Sequence, residues 1–521
     1  MDTYSCNQEE IFNNNSNAVS QYSIANEKFK ENNYDLMLNY SKNLTEDLNL
    51  TAVVGTNIMR QRYSRMRSST NGGINVDGLW SLSNSKNSIL APTQFEYLKG
   101  VNGYYANASL GYKNMLYGEA SYRRDIASTL PTNDNEYDYY GISGSFLFSE
   151  LLESNLISFG KLRIGYAKTG NSAGALQLYN TYDLNTPVGG NASASLPSTN
   201  NNSNLTNEES NETEIGLEMR FINNRLGFEL SVYDKKSSDL LTPVSVTPAI
   251  GYTGQWLNAG EIQNKGVELS LKGSPIKTDD FEWNVNINWG KNESEVLSLA
   301  SGLKNLQLAS LQGGVSINAT VGEPYGMIKG VDYTYHENGG RIVGSNGAYV
   351  KSGPNEDLGS FQADWKGGIN NSFKYKDFAF SFLIDMQKGG SVFSLDTWYG
   401  MGTGLYPETV GLNDLGNPKR TPISAGGGIL LEGVNADGTP NTTRARMDYF
   451  AHALGWSKAT NAQHVYDAGF IKLREVSLSY VFPKEVLNSK FIQGLTLSAI
   501  GKNLWIIDKS LPYGDPEAGL S

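Results

Sequence analysis

Residues Glu212 to Asp234 pair on paper as a hairpin, and that pairing leaves few folds open. Turned at Asn223-Asn224, the chain brings Phe221 to Leu226, Met219 to Phe228, Leu217 to Leu230 and Ile215 to Val232, all apolar and all on one face. The other face reads Arg220–Gly227, Glu218–Glu229, Gly216–Ser231 and Glu214–Tyr233. Asparagine tolerates the positive φ of a two-residue hairpin turn, so the register has a chemical pin. A strand of about ten residues, greasy on one side and polar on the other, is the repeating unit of an outer-membrane β-barrel.

The unit recurs. Alternation predicts fourteen strands, near 33–41, 47–58, 100–112, 115–124, 138–149, 158–168, 211–222, 225–236, 262–272, 281–292, 366–375, 377–387, 469–482 and 493–502. Tyr34, Leu36, Leu38 and Tyr40 share a face against Asp35, Met37, Asn39 and Ser41. Trp283, Val285, Ile287 and Trp289 oppose Glu282, Asn284, Asn286 and Asn288. Short connections (42–46, 113–114, 150–157, 223–224, 273–280, around 376, 483–492) alternate with mostly long ones (59–99, 125–137, 169–210, 237–261, 293–365, 388–468). Short periplasmic turns and long extracellular loops give that pattern. The expected fold is all-β: a transmembrane antiparallel β-barrel fragment.

Composition agrees. Tyr (30) and Gly (56) are abundant, which favours strands and turns. Net charge is −11, against a nucleic-acid partner. A single cysteine, Cys6, permits no internal disulfide. No run of about 18 apolar residues marks a membrane helix, and barrel strands need none. No catalytic signature stands out: H-E-x-x-H, Walker and C-x-x-C patterns are absent. His336, His452 and His464 lack ligand spacing, so neither metal nor cofactor is expected. Asp515-Pro516-Glu517 and Asp332 read as solvated loop charge rather than a Ca²⁺ site.

Several blocks resemble signatures of the SusC/RagA family of TonB-dependent outer-membrane transporters. They are Ser121-Tyr122-Arg123-Arg124-Asp125, Lys161 through Asn171 (KLRIGYAKTGN), Asn211 through Glu218 (NETEIGLE), Asn258 through Leu269 (NAGEIQNKGVEL), Asp467 through Tyr480 (DAGFIKLREVSLSY) and Gly501-Lys502-Asn503-Leu504-Trp505. Six blocks in order cover nearly the whole chain. The resemblance implies a barrel of about 22 strands around a plug, of which residues 1–521 would supply about 14. Signal peptide, plug and final strand are expected to lie outside this chain, whose start lacks a basic and apolar leader and whose last residues, Gly519-Leu520-Ser521, read as turn. Implied partners are a SusD-like lipoprotein, the TonB complex, outer-membrane lipid, and an oligosaccharide or oligopeptide ligand. A siderophore or vitamin receptor is the alternative within the class. A surface carbohydrate-binding β-protein is the alternative outside it.

Candidate site residues follow from face and loop. Arg123, Arg163, Glu218, Arg220, Glu229 and Asp385 fall on the polar, lumen-side face. An arginine facing lipid at mid-depth would instead cost about 2–4 kcal/mol. Glu218 opposite Glu229 is destabilising unless Arg220, water or a counter-ion compensates. Trp256, Trp398, Tyr399, Tyr406 and Trp456 lie in long loops rich in Asn and Gly. Their rings suit stacking on the apolar faces of sugars, and packing the loops' own small cores is the competing use.

Overall fold

The structure, a computed structural model, describes residues 2–11, 20–300, 302–450, 452–487 and 491–518, with the side chains of 2–11 and Thr186 excepted. Gly519-Leu520-Ser521 lie outside the described residues. Fifteen strands form one sheet in strict sequence order. They are β1 (Asp2–Ile11), β2 (Gln21–Asn43), β3 (Leu48–Ser69), β4 (Thr93–Tyr112), β5 (Leu116–Ala127), β6 (Glu136–Phe146), β7 (Ile157–Asn171), β8 (Glu208–Phe221), β9 (Leu226–Ser238), β10 (Glu261–Lys277), β11 (Phe281–Ser298), β12 (Trp365–Tyr375), β13 (Phe378–Lys388), β14 (Phe470–Phe482) and β15 (Leu495–Lys509). All fourteen expected strands are present, and β1 is an addition that alternation did not suggest.

The chain divides into two compact units. One comprises 1–146, 164–213 and 236–261, and the other 147–163, 214–235 and 262–521. In the first unit β2 and β3 pair without interruption from Ser23↔Ser69 to Asn43↔Asn49. They far exceed the ten residues expected. At about 3.3 Å per residue the 23 residues of β2 run roughly 75 Å, well beyond an apolar band about 25 Å tall. The upper halves, 59–69 and 93–99, fall within the stretch 59–99 expected as a long connection. Yet they alternate too, as in Phe95-Glu96-Tyr97-Leu98-Lys99.

The connections need one correction. The segment 125–137 shrinks to 128–135, because β5 and β6 extend into it. It is then no longer than the connection 147–156, found where a short turn was expected at 150–157, which holds a 3-10 turn. Alternation of short and long connections is therefore a trend with an exception. The two-residue hairpins hold. Lys113 and Asn114 have φ of 52° and 54°, and Met115 donates to the Tyr112 carbonyl at 3.0 Å. Asn223 and Asn224 have φ of 53° and 63°, and Arg225 donates to the Ile222 carbonyl at 3.1 Å.

The apolar face of the sheet is bare. Leu36 and Leu38 are 73% and 78% exposed, and Leu98, Ile164, Ile215, Val232, Leu478 and Leu497 are also exposed. Within the second unit an aromatic row, Trp283–Phe373–Phe380, crosses three strands at 5.8 and 6.1 Å between rings. A water-soluble sheet buries such a face, so its exposure marks hydrocarbon as the solvent. No described helix is long and apolar enough to cross a membrane. Among the described residues, buried apolar clusters gather around the loops. In the second unit Val315, Ile317, Ile328, Phe393 and Trp398 pack beneath the nine-residue helix α1 (Leu395–Thr403). In the first, Ala127, Leu130, Tyr137, Ala173 and Leu205 form a separate cluster.

Candidate functional site

The face opposite the bare apolar residues is a wall of paired charges. In the first unit Arg123 stands on β5 beside Asp125, Nε to Oδ1 2.7 Å, with its guanidinium over the Tyr105 ring. Gly103 on β4 leaves the room: a Cβ there would collide with the Arg123 side chain. In the second unit Arg163 is a hub. Its Nη1 donates to Glu229 at 2.6 Å, and its Nη2 donates to Glu214 at 2.8 Å and to the Ser231 hydroxyl at 2.6 Å. Gly216 again provides the space, since a Cβ would lie 2.5 Å from the guanidinium carbon. Arg220 takes the other glutamate, Nη2 to Glu218 at 2.7 Å, and lies over the Phe159 ring. The opposed glutamates are thus each neutralised by a separate arginine. The sequence had offered only Arg220, because Arg163 arrives from a strand that is 66 residues from Glu229.

Glu218, Arg220 and Glu229 line a recess of about 580 Å³ with Lys272, Asn284 and Asn286. Every one of these side chains both carries charge or amide groups and faces open space. Such a surface holds water or a polar partner and has no aligned nucleophile, base or metal-ligand set. Among the described residues, no cluster of His, Cys, Asp and Glu has the makings of a metal site.

Asp385 belongs to a second network. Arg474 is the extra residue of a β-bulge: Leu383 faces Glu475 and Ile384 faces Leu473, while on the other side Leu473 faces Trp505 and Glu475 faces Lys502. Bulges re-aim a side chain. Here Arg474 Nε donates to Asp385 at 3.0 Å, and its two Nη atoms grip both oxygens of Glu517 at 2.8 Å. Lys472, only 3% exposed, pairs with Asp515 and Glu517. The Arg474 hydrogen bonds hold the Glu517 carboxyl below its usual range, against the opposing effect of burial. Asp515 and Glu517 are therefore satisfied by two cations of the chain itself. Sequence reasoning quoted Lys472 and Arg474 within a motif and gave them no role. The two acidic partners, more than 40 residues downstream, were the missing signal.

The loop aromatics divide. Trp398 on α1 is 7% exposed and belongs to the core with Phe393 and Ile328, so burial removes it as a sugar platform. Tyr399 and Trp456 are half-buried against that core, 6.3 Å apart, and Phe450 caps Trp456 at 4.3 Å. Tyr406 instead stacks on exposed Tyr513 at 4.1 Å and 13°. Trp256 sits in the first unit, packed against the Leu130 and Leu205 cluster. Of the five rings, only Trp398, Tyr399 and Trp456 come together. An unexpected aromatic trio, Tyr63, Phe95 and Tyr97, lies on the polar face of β3 and β4 with rings 5.3 to 6.1 Å apart.

Comparison with known proteins gives a consistent result. The family model described as TonB dependent receptor-like, beta-barrel matches residues 2–364. TonB-dependent receptor P26 of Formosa agariphila is 27% identical over 91% of this chain and 48% of its own length. TonB-dependent receptor SusC of Bacteroides thetaiotaomicron is 28% identical over 45% of this chain and 25% of its own. The RagAB peptide transporter structure superposes with a TM-score of 0.78 at 21% identity, covering 99% of this chain and 56% of that one. The chain spans about half the length of curated relatives such as P26.

Proposed function

The chain belongs to the TonB-dependent receptor-like β-barrel family of the outer membrane, and from that premise we propose that the receptor imports an oligosaccharide into the periplasm. The observation that supports import is the two-faced sheet. One face carries bare apolar side chains, and the other is lined by paired charge around a polar recess. In this reading the loops capture the ligand together with a SusD-like lipoprotein, and the TonB complex acts on a plug seated against the polar face. The loop rings left accessible for sugar stacking are Tyr399, Trp456 and the Tyr406–Tyr513 pair. Arg123, Arg163, Glu218, Arg220, Glu229 and Asp385 shape the lumen wall. None of them performs chemistry on the cargo.

Oligopeptide import is the second reading, because the superposable RagAB structure is described as a peptide transporter. One experiment separates the two. A strain with the receptor gene deleted is compared with its parent for uptake of labelled glycans and labelled peptides. Loss confined to one glycan class supports the first reading, and loss confined to peptides replaces it with the second. Unchanged uptake of both removes nutrient import altogether.

A further inference from the structure

On the apolar face of the first unit, the band containing Tyr34, Leu36, Leu38 and Tyr40 gives way to cations. The same face of β2 continues to Asn32 and Lys30, and that of β3 to Arg60 and Arg62. In the ladder Asn32 faces Arg60, and Lys30 faces Arg62 on one side and Asp2 of β1 on the other. Like charges set opposite one another destabilise a sheet unless an anion joins them. Lys30, Arg60 and Arg62 are all exposed. Arg62 has one counter-charge, Glu96, at 2.6 Å. Arg60 lies across Gly100, where a Cβ would come within 3.3 Å of its side chain, and is anchored to the Asn102 side chain at 2.8 Å and the Met59 carbonyl at 2.8 Å.

These side chains line a recess of about 760 Å³ whose other wall includes Leu98 and Ile126. The recess lies two to four residues beyond Tyr34, roughly 7–13 Å along the strand. It lies on the side of the band leading to the long connection 70–92. That is the headgroup level of the outer leaflet, just above the tyrosine girdle.

We propose that this recess binds the phosphorylated headgroup of an outer-leaflet lipid, with the acyl chains lying along Leu36 and Leu38. Three cations meet the phosphate, Asn32 and Asn102 meet sugar or ester oxygens, and Leu98 and Ile126 take the first methylenes. A free anion uses the cations alone and leaves the apolar wall wet, which is why a lipid is the occupant. The site is on the opposite face from the import path and is independent of the cargo.

The receptor, purified in a nonionic detergent, is titrated with diphosphorylated lipid A, with the dephosphorylated form and with inorganic phosphate, and bound mass is read by native mass spectrometry. The expected result is binding of the phosphorylated lipid at least tenfold tighter than of the dephosphorylated one, with no displacement by millimolar phosphate. Combined Lys30→Gln, Arg60→Gln and Arg62→Gln substitution weakens binding by about fivefold per cation, about 100-fold together. Lys113→Gln, in the short turn at the far end of the strands, leaves it unchanged. Equal binding of both lipid forms, an unaffected triple variant, or displacement by inorganic phosphate each overturns the proposal. If the triple variant does not assemble, the two lipid forms compared on the unaltered receptor decide the matter.

Discussion

Strands β13 and β14 and the long connection between them, all in the second unit, solve opposite packing problems with the same amino acids. In the strands, Phe378, Phe380 and Leu478 point outward and are exposed. In the connection, Phe393 is 2% exposed and packs with Trp398, and Met447 is buried as well. The loops are folded as a water-soluble protein is, with apolar groups inside. The strands are folded for hydrocarbon, with charge inside and grease outside. The difference teaches that hydrophobicity alone does not locate the core of this molecule; the period of the pattern does.

Four measurements test that contrast, beginning with the largest effect. Phe393→Ala removes a ring from the loop core and is expected to cost about 3–5 kcal/mol of local stability. Limited proteolysis should then cut within 389–469 while the strands still resist heat in detergent. Loss of strand assembly as well would show that the two regions do not fold separately. Leu478→Arg tests the other side. Facing hydrocarbon, it costs about 2–4 kcal/mol, measured by reversible unfolding in lipid. A cost near zero would mean that the face meets water.

Acid should act on the loops. His464 is buried, with Nδ1 3.0 Å from the Thr397 hydroxyl, and burial lowers its pKa from 6.5 to about 4. His452 is shifted in the same direction, again chiefly by burial. The unfolded loop takes up these protons first. Their stabilisation is therefore complete above about pH 6.5 and drains away as the pH falls toward 4. For His464 the loss is roughly 3 kcal/mol. Proteolytic susceptibility of 389–469 measured between pH 7 and 4 checks this, and His464→Gln should flatten the dependence. The smallest effect is expected at the hub. Arg163→Gln strands Glu214 and Glu229 in a partly hydrated wall and should cost about 2 kcal/mol. Pairing it with Glu229→Gln should recover part of that loss, because the uncompensated charge is gone.

Much of the wall was legible because a strand with one face in lipid must repeat its pattern at every second residue. The hairpin 212–234, its turn at Asn223-Asn224 and the residues on each face could be read directly from the letters. What escaped were features without local cause. Strands β2 and β3 run on past the expected ends at Tyr34 and Ile58, where the outward face turns from apolar to charged, as at Lys30, Arg60 and Arg62, while the Tyr63 ring lies on the inner one. The partners of Arg163 and Arg474 were hidden because ladders bring together residues far apart in sequence. For Trp398 the letters left two uses open, a sugar platform or the loop's own core, for a related reason. An aromatic residue in an Asn- and Gly-rich stretch looks like a ligand platform until a helix and a neighbouring small sheet enclose it. Nothing in its immediate neighbours announces that enclosure.

The length of β2 and β3 has a consequence for the cell's exterior. Residues 63–67 stand beyond the level of the Arg60 and Arg62 recess, yet each has a ladder partner on both sides, in β2 and in β4. A protease must draw its substrate into the active cleft as a free extended strand, and these residues are already extended and already taken. Much of what this receptor shows to a hostile environment is therefore uncuttable without first unzipping two seams. Proteolysis is channelled to the loops, where the chain can be nicked and still be held in place by the sheet.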